Sequence, residues 1–361
     1  MPAASPALPP PLASRSLYAS ALGLTVAVAG GAAIGLPLGG GAGLALLGAA
    51  VLLTGMPHGA VDHLVARQLF AWRGARGAAL FYGGYLALAA LYGLGWWIWP
   101  PGALAFFLLM AVYHFGQADL AYRAPRSRAG RVVLYLSRGL FVVGSPLGAR
   151  PEAVAPVVDA LAGVALPAAV PAWWPAACVA TLATQHALVL AALTHRTETP
   201  GRREWVTVSV LALLFWAAPP LAAFATYFGL WHALGHVLVL TRFFRAARGD
   251  ASDTEAAPVT VGAFYRHAAL YTLVPLGGLA ALLLARPGAF AANTAEALAA
   301  LFVLISVLTL PHMLLVERLY RHERHRFAQA GTPLPPEDEE EGSLSRSSSW
   351  FTANDGGSLE G

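Results

Sequence analysis

The chain has 361 residues, of which 57% are hydrophobic and only 12% charged, with a mean hydropathy of +0.59. A soluble domain carries about 25% charged residues, so this composition excludes an ordinary soluble enzyme; apolar runs near ~20 residues recur throughout and describe a polytopic membrane protein. The single cysteine, Cys178, excludes an intramolecular disulfide framework and any multi-cysteine zinc or iron–sulfur site. All 23 basic residues are arginine, so no lysine Schiff base can form.

The net charge of +4 hides a split. Residues 331–361 hold seven acids (Glu337, Asp338, Glu339, Glu340, Glu341, Asp355, Glu360) against Arg346, which leaves 22 arginines and 12 acids in the rest. Those arginines cluster in short loops, as topogenic charge beside anionic headgroups does, rather than in a nucleic-acid-binding patch.

In chain order, residues 1–16 are Pro/Ala/Ser-rich and expected to be disordered. A Gly/Ala-rich span follows over 17–38; it lacks a strong basic leader and a cleavage site, and reads as retained. Further spans are expected at 43–66, 77–98, 103–122, 132–149, 172–194, 205–218, 220–241, 262–285 and 295–317. Pro219 and Pro220 divide one long apolar stretch into two helices. Residues 154–170 are apolar but short and proline-flanked, and read as a re-entrant or interfacial piece. Residues 17–328 thus form one all-α transmembrane domain of about ten helices, and residues 329–361 an acidic, Ser-rich disordered tail. The arginine-rich loops (67–76, 123–131, 196–203, 242–248, 318–326) fall on one side if both termini are cytoplasmic, the orientation expected in a cell membrane.

Five histidines share one depth. His58, His114, His232, His236 and His312 each lie six to ten residues before the arginine that ends their span (Arg67, Arg123, Arg242, Arg318). Ionisable groups inside a bilayer cost a few kcal/mol each and mark function, and imidazole is the commonest protein ligand of transition metals. His232 and His236 are an i,i+4 pair, which places both rings on one helix face. The alternative for such a pair is a polar contact between helices. His58 lies in GMPHGAVDH, where Pro57 and Gly59 make the helix irregular and Asp62, four residues on, is placed to accept the second N–H of the His58 ring or to cap the helix end beside Arg67. His114 lies in YHFGQAD, with Gln117 one turn on as a supporting hydrogen bonder. His312 follows Pro311 in LPHMLLVER and reads first as a supporting group and second as a fifth ligand. His63, five residues after His58, cannot face the same point on a regular helix. For His186, His195, His267, His322 and His325 a core hydrogen bond or an interfacial position is the default.

Together GMPHGAVDH, YHFGQAD, WHALGH and PHMLLVER resemble the Brp/Blh family of membrane β-carotene 15,15′-dioxygenases, over roughly residues 43–325. The resemblance implies four iron-ligating, catalytic histidines, His58, His114, His232 and His236, with Fe(2+) as cofactor and β-carotene and O2 as substrates. It implies two retinal molecules as product and a functional link to retinal-binding rhodopsins. A hydrocarbon substrate further requires an apolar tunnel open to the bilayer, for which Phe224, Tyr227, Phe228 and Trp231 are candidates, with ordinary helix packing the alternative for each. Two other classes compete. A membrane desaturase or hydroxylase needs about eight histidines in repeated boxes, where this chain has one HxxxH. A histidine-relay transporter needs carboxylates deep in several spans, where the spans here hold few, with Asp62 and Asp119 near span ends.

Overall fold

The computed structural model describes residues 8–72, 74–123, 125, 127–194, 201–249, 260–285 and 294–330. The tail beyond residue 330, His195 and part of the 196–203 loop lie outside these. The described residues are helical throughout, with no strands. Nine helical spans among them are long and apolar enough to cross a membrane.

The elements are α1 (Arg15–Ala33), α2 (Gly40–Ala50), a π-helical turn (Val51–Gly55), α3 (Met56–Ala60), α4 (Asp62–Phe70), α5 (Gly74–Ile98), α6 (Pro100–Leu120), α7 (Arg128–Ala149), α8 (Pro151–Ala162) and α9 (Trp174–Thr194). They continue with α10 (Arg202–Ala217), α11 (Pro220–Tyr227), a second π turn (Phe228–Ala233), α12 (Leu234–Gly249), α13 (Val261–Ala285) and α14, the 37-residue helix Thr294–Ala330. All ten expected spans are helices. The exception in length is α10, whose 16 residues make it about 24 Å long at 1.5 Å per residue, short of the ~20 residues a crossing needs. In the stretch 154–170, only α8 is helical, and its 12 residues are too few to cross.

The expectation of disorder fails for residues 8–14. Leu8 and Leu12 are buried, Arg242 donates to the Pro10 carbonyl at 3.0 Å, and Arg203 donates to the Leu12 carbonyl. This segment lies on the arginine-rich side of the bundle, tied down by guanidinium groups donating to carbonyls that a proline-rich chain leaves free.

The core is aliphatic and aromatic (Phe141, Leu211, Leu214, Phe215, Tyr227), gathered between α7, α10 and α11. A buried ion pair crosses it: Arg138 of α7 bonds Asp119 of α6 at 2.8 Å, and the Tyr227 hydroxyl donates to the same carboxylate at 3.0 Å. Helices α6 and α7 touch backbone to backbone. A methyl group at Gly116 would strike the Tyr135 carbonyl, and one at Gly139 would strike the Val112 carbonyl. Because α6 carries His114, this crossing fixes the position of one candidate ligand. Gly116→Ala or Gly139→Ala should therefore cost at least the ~1–3 kcal/mol of an overpacked core. The change is read as a lower unfolding temperature in detergent and, because α6 is displaced, a lower metal content.

Candidate metal centre

Two kinds of helix irregularity, prolines and π turns, lie beside His58, His232 and His312, whereas His114 stands on the unbroken α6. Pro57 has no N–H to give the Leu53 carbonyl; the Tyr265 hydroxyl of α13 donates to it instead, at 2.6 Å. The π turn before α3 and the one containing His232 lie side by side, joined by the Thr54 hydroxyl donating to the Gly229 carbonyl at 3.1 Å. Such single π turns inside α-helices are frequent at functional sites. Pro311 sits inside α14 directly before His312.

The outcome is one cluster of five buried rings. Ring centroids lie 5.0 Å apart for His58–His312, 5.0 Å for His114–His232, 5.2 Å for His114–His312, 5.4 Å for His58–His236, 5.5 Å for both His58–His232 and His236–His312, and 6.2 Å for His114–His236. His232 and His236 stand 6.5 Å apart. With metal–nitrogen bonds near 2.1 Å, imidazoles sharing one ion have centroids roughly 4.6–6.5 Å apart, so the observed spacings fit a common point. Nitrogens of His58, His114 and His312 lie within 4.8 Å of one another.

The orphaned nitrogens point the same way. Both nitrogens of His114 and of His236, Nδ1 of His232 and Nε2 of His312 are buried without a hydrogen-bond partner. An unpaired polar group in a hydrocarbon setting costs about 1–3 kcal/mol, and a divalent cation would engage such nitrogens. The outward-facing nitrogens that do have partners fix tautomers. His58 Nδ1 donates to the Thr54 carbonyl at 3.3 Å, which leaves Nε2 as its free donor atom. His312 Nδ1 donates to Asp62, at 2.9 and 3.0 Å from the two oxygens.

Asp62 is therefore displaced from its expected partner. It supports His312, not His58. The reason is local: α3 ends at Val61 and Asp62 begins α4, so the i+4 relation to His58 on one continuous helix does not hold. The Tyr85 hydroxyl of α5 lies 3.2 Å from Asp62 Oδ2 and 3.2 Å from the Leu308 carbonyl, holding the carboxylate from behind. Gln117 supports no histidine; its amide donates to Glu317 at 2.5 Å, a carboxylate also held by Tyr113 and Arg321. His63 stands apart from the cluster, packed on Tyr271 at 4.4 Å. His186 meets the default expectation, with its Nδ1 3.0 Å from the Ser137 hydroxyl.

His58, His114, His232 and His312 form part of the wall of a cavity of about 310 Å³, otherwise lined largely by Phe107, Phe115, Phe224, Phe228, Phe302 and aliphatic side chains; His236 stands behind them. Of the four tunnel candidates, Phe224 and Phe228 line it. Tyr227 and Trp231 lie on another face of the same helix: Tyr227 bonds Asp119, and the Trp231 indole donates to Thr25 at 2.9 Å. Tyr85, Tyr82, Tyr271, Phe107 and Phe302 were not legible as site residues, because nothing in α5, α13 or the first halves of α6 and α14 sets their aromatic positions apart from lipid-facing ones.

A sequence model of the β-carotene 15,15′-dioxygenase family matches residues 49–320. The chain belongs to that family. It is 32% identical over 359 aligned residues to the probable β-carotene 15,15′-dioxygenase Blh of Halobacterium salinarum, covering 87% of this chain and 96% of that protein. It is 28% identical over 284 residues to the β-carotene 15,15′-dioxygenase of the uncultured marine bacterium 66A03, covering 77% and 94%. No solved structure matches it. Every histidine of the cluster falls within the matched range.

If Asp62 orients a ligating imidazole, Asp62→Asn, which keeps the shape and removes the charge, should weaken metal binding by about 10–100-fold. Titration of the metal-stripped protein with Fe(2+), followed by the metal retained after gel filtration, reads this directly.

Proposed function

We propose that this protein is a membrane β-carotene 15,15′-dioxygenase that cleaves the central double bond of β-carotene with O2 to give two all-trans-retinal molecules. The observation that carries the proposal is the convergence of five imidazoles, four of which (His58, His114, His232 and His312) stand in the wall of an apolar, phenylalanine-lined cavity within a bilayer-spanning bundle. His58, His114, His232 and His236 would hold Fe(2+), and His312 fits as a fifth ligand. The metal, when bound, would supply the activation of dioxygen that a closed-shell polyene cannot achieve alone. The reaction balances without an external reductant, since one carbon–carbon double bond and one O2 become two carbonyl groups.

The chain's own residues contribute position and exclusion of water. β-Carotene has no heteroatom for a side chain to grip, so the bond that reacts is selected by where the polyene lies against the imidazoles. Phe115 packs on the His232 ring at 4.2 Å and Phe228 packs parallel to it at 5.8 Å, so the same aromatic groups brace a ligand and form the wall. Asp62 places one negative charge behind His312 without entering the cluster, which differs from sites where a carboxylate binds the metal itself. The competing transporter reading loses its proton carriers: Asp62 is held by His312 and Tyr85, and Asp119 by Arg138 and Tyr227. A cell-membrane location with both termini cytoplasmic, and delivery of retinal to a rhodopsin, complete the reading.

Expression in cells that accumulate β-carotene tests it. Loss of the orange pigment with retinal as the sole product is expected from the wild-type chain. Alanine at His58, His114, His232 or His236 should reduce turnover at least a hundredfold while the protein remains in the membrane, and His195→Ala should leave turnover unchanged. Unchanged β-carotene beside membrane-inserted wild-type protein would reject the proposal; longer apocarotenals would reject central cleavage.

A further inference from the structure

The cavity comes nearest to open surface at α5. Among its lining residues only Leu86 of α5 is exposed, at 65%. Leu86 lies on the membrane-spanning part of α5, and across the gap stands α13, also a peripheral, lipid-facing helix with Leu270, Leu273 and Val274 exposed. The opening therefore faces the bilayer, not an aqueous phase.

Across this opening the two helices meet through side chains. The Tyr82 hydroxyl of α5 and the Tyr271 hydroxyl of α13 are 2.5 Å apart, their rings lie parallel at 6.0 Å, and His63 packs beneath Tyr271. Both tyrosines line the cavity, as does Pro275, one turn further along α13. Pro275 has no N–H for the Tyr271 carbonyl, so α13 lacks a helical bond at the residue that carries the bridge, and proline-interrupted helices bend there. The cavity, about 310 Å³, is at the small end of the ~300–1,000 Å³ range of ligand pockets.

We infer that the α5–α13 gap is the lateral mouth through which the polyene passes between bilayer and metal centre, and that the Tyr82–Tyr271 hydrogen bond is its latch. A hydroxyl pair is suited to the task. In hydrocarbon neither group has water as an alternative partner, so the latch closes by default, yet one intramembrane hydrogen bond is weak enough to open thermally. The inference rests on reading the ligand as a carotenoid dissolved in the bilayer.

The test compares Leu86→Trp, which fills the mouth, with Leu91→Trp, on the same helix and 64% exposed but outside the cavity wall. Leu86→Trp should lower kcat/KM for β-carotene tenfold or more with bound metal unchanged, and Leu91→Trp should match the wild type. Tyr82→Phe and Tyr271→Phe should each raise kcat/KM about threefold, and the double variant no further, since the second hydroxyl has lost its partner. Anaerobic uptake of β-carotene from lipid vesicles, followed by polyene absorbance, gives a readout independent of cleavage. Wild-type uptake without cleavage, slowed in Leu86→Trp, would sink the dioxygenase reading and leave the mouth standing. Wild-type rates in Leu86→Trp, equal losses in both tryptophan variants, or no uptake by the wild-type protein would overturn the mouth.

Discussion

Inside a bilayer a polar side chain has no water to fall back on, and this protein places five imidazoles within one small volume under that constraint. Each ring carries two nitrogens that must find partners or remain unsatisfied. The helices are arranged so that some outward nitrogens are held by protein groups, Thr54 for His58 and Asp62 for His312, while several others remain buried and unpaired around a common centre. Protein groups alone leave that arrangement costly. A divalent cation would change its sign, because the nitrogens that are liabilities toward hydrocarbon would become ligands, and the ion would in turn hold four separate stretches of chain together.

The departures from regular helix follow from the same need. A straight helix through residues 51–66 would carry His58, Asp62 and His63 around one smooth cylinder. The π turn, Pro57 and the break at Val61 rotate these residues independently: His58 joins the cluster, Asp62 supports a histidine from another helix, and His63 turns toward α13. The carbonyl that Pro57 releases is taken up by a side chain, the Tyr265 hydroxyl donating to Leu53. Irregular backbone at this depth survives because protein, not lipid, surrounds it.

Much of this was legible in the sequence for a simple reason. Hydrocarbon thickness sets span length, and interfacial arginines mark span ends, so counting back from Arg67, Arg123, Arg242 and Arg318 places five histidines at one depth before any contact is known. Depth is one coordinate, however, and facing direction is another. His312 shared the depth of the others but read first as a supporting group, yet its Nε2 lies among the free nitrogens of the cluster. Tyr227 and Trp231 looked equivalent to Phe224 and Phe228 in an aromatic run, but the helix turns them toward Asp119 and Thr25. Partners that arrive from distant helices, such as Tyr85 for Asp62 or Tyr82 for Tyr271, leave no local trace. Residues 8–14 looked disordered by composition, and the groups that give them a place, the guanidinium groups of Arg203 and Arg242 and the apolar contacts that bury Leu8 and Leu12, come from far along the chain.

The central claim is that these imidazoles, with no coordinating carboxylate or thiolate, bind one metal ion. X-ray absorption at the iron edge of the purified, Fe(2+)-loaded protein tests it most directly. The account predicts a first shell dominated by nitrogen near 2.1 Å with the multiple-scattering pattern of four to five imidazoles, simplified by one imidazole in the His312→Ala protein. A shell of oxygen or sulfur ligands, or an imidazole count of two or fewer, would contradict it.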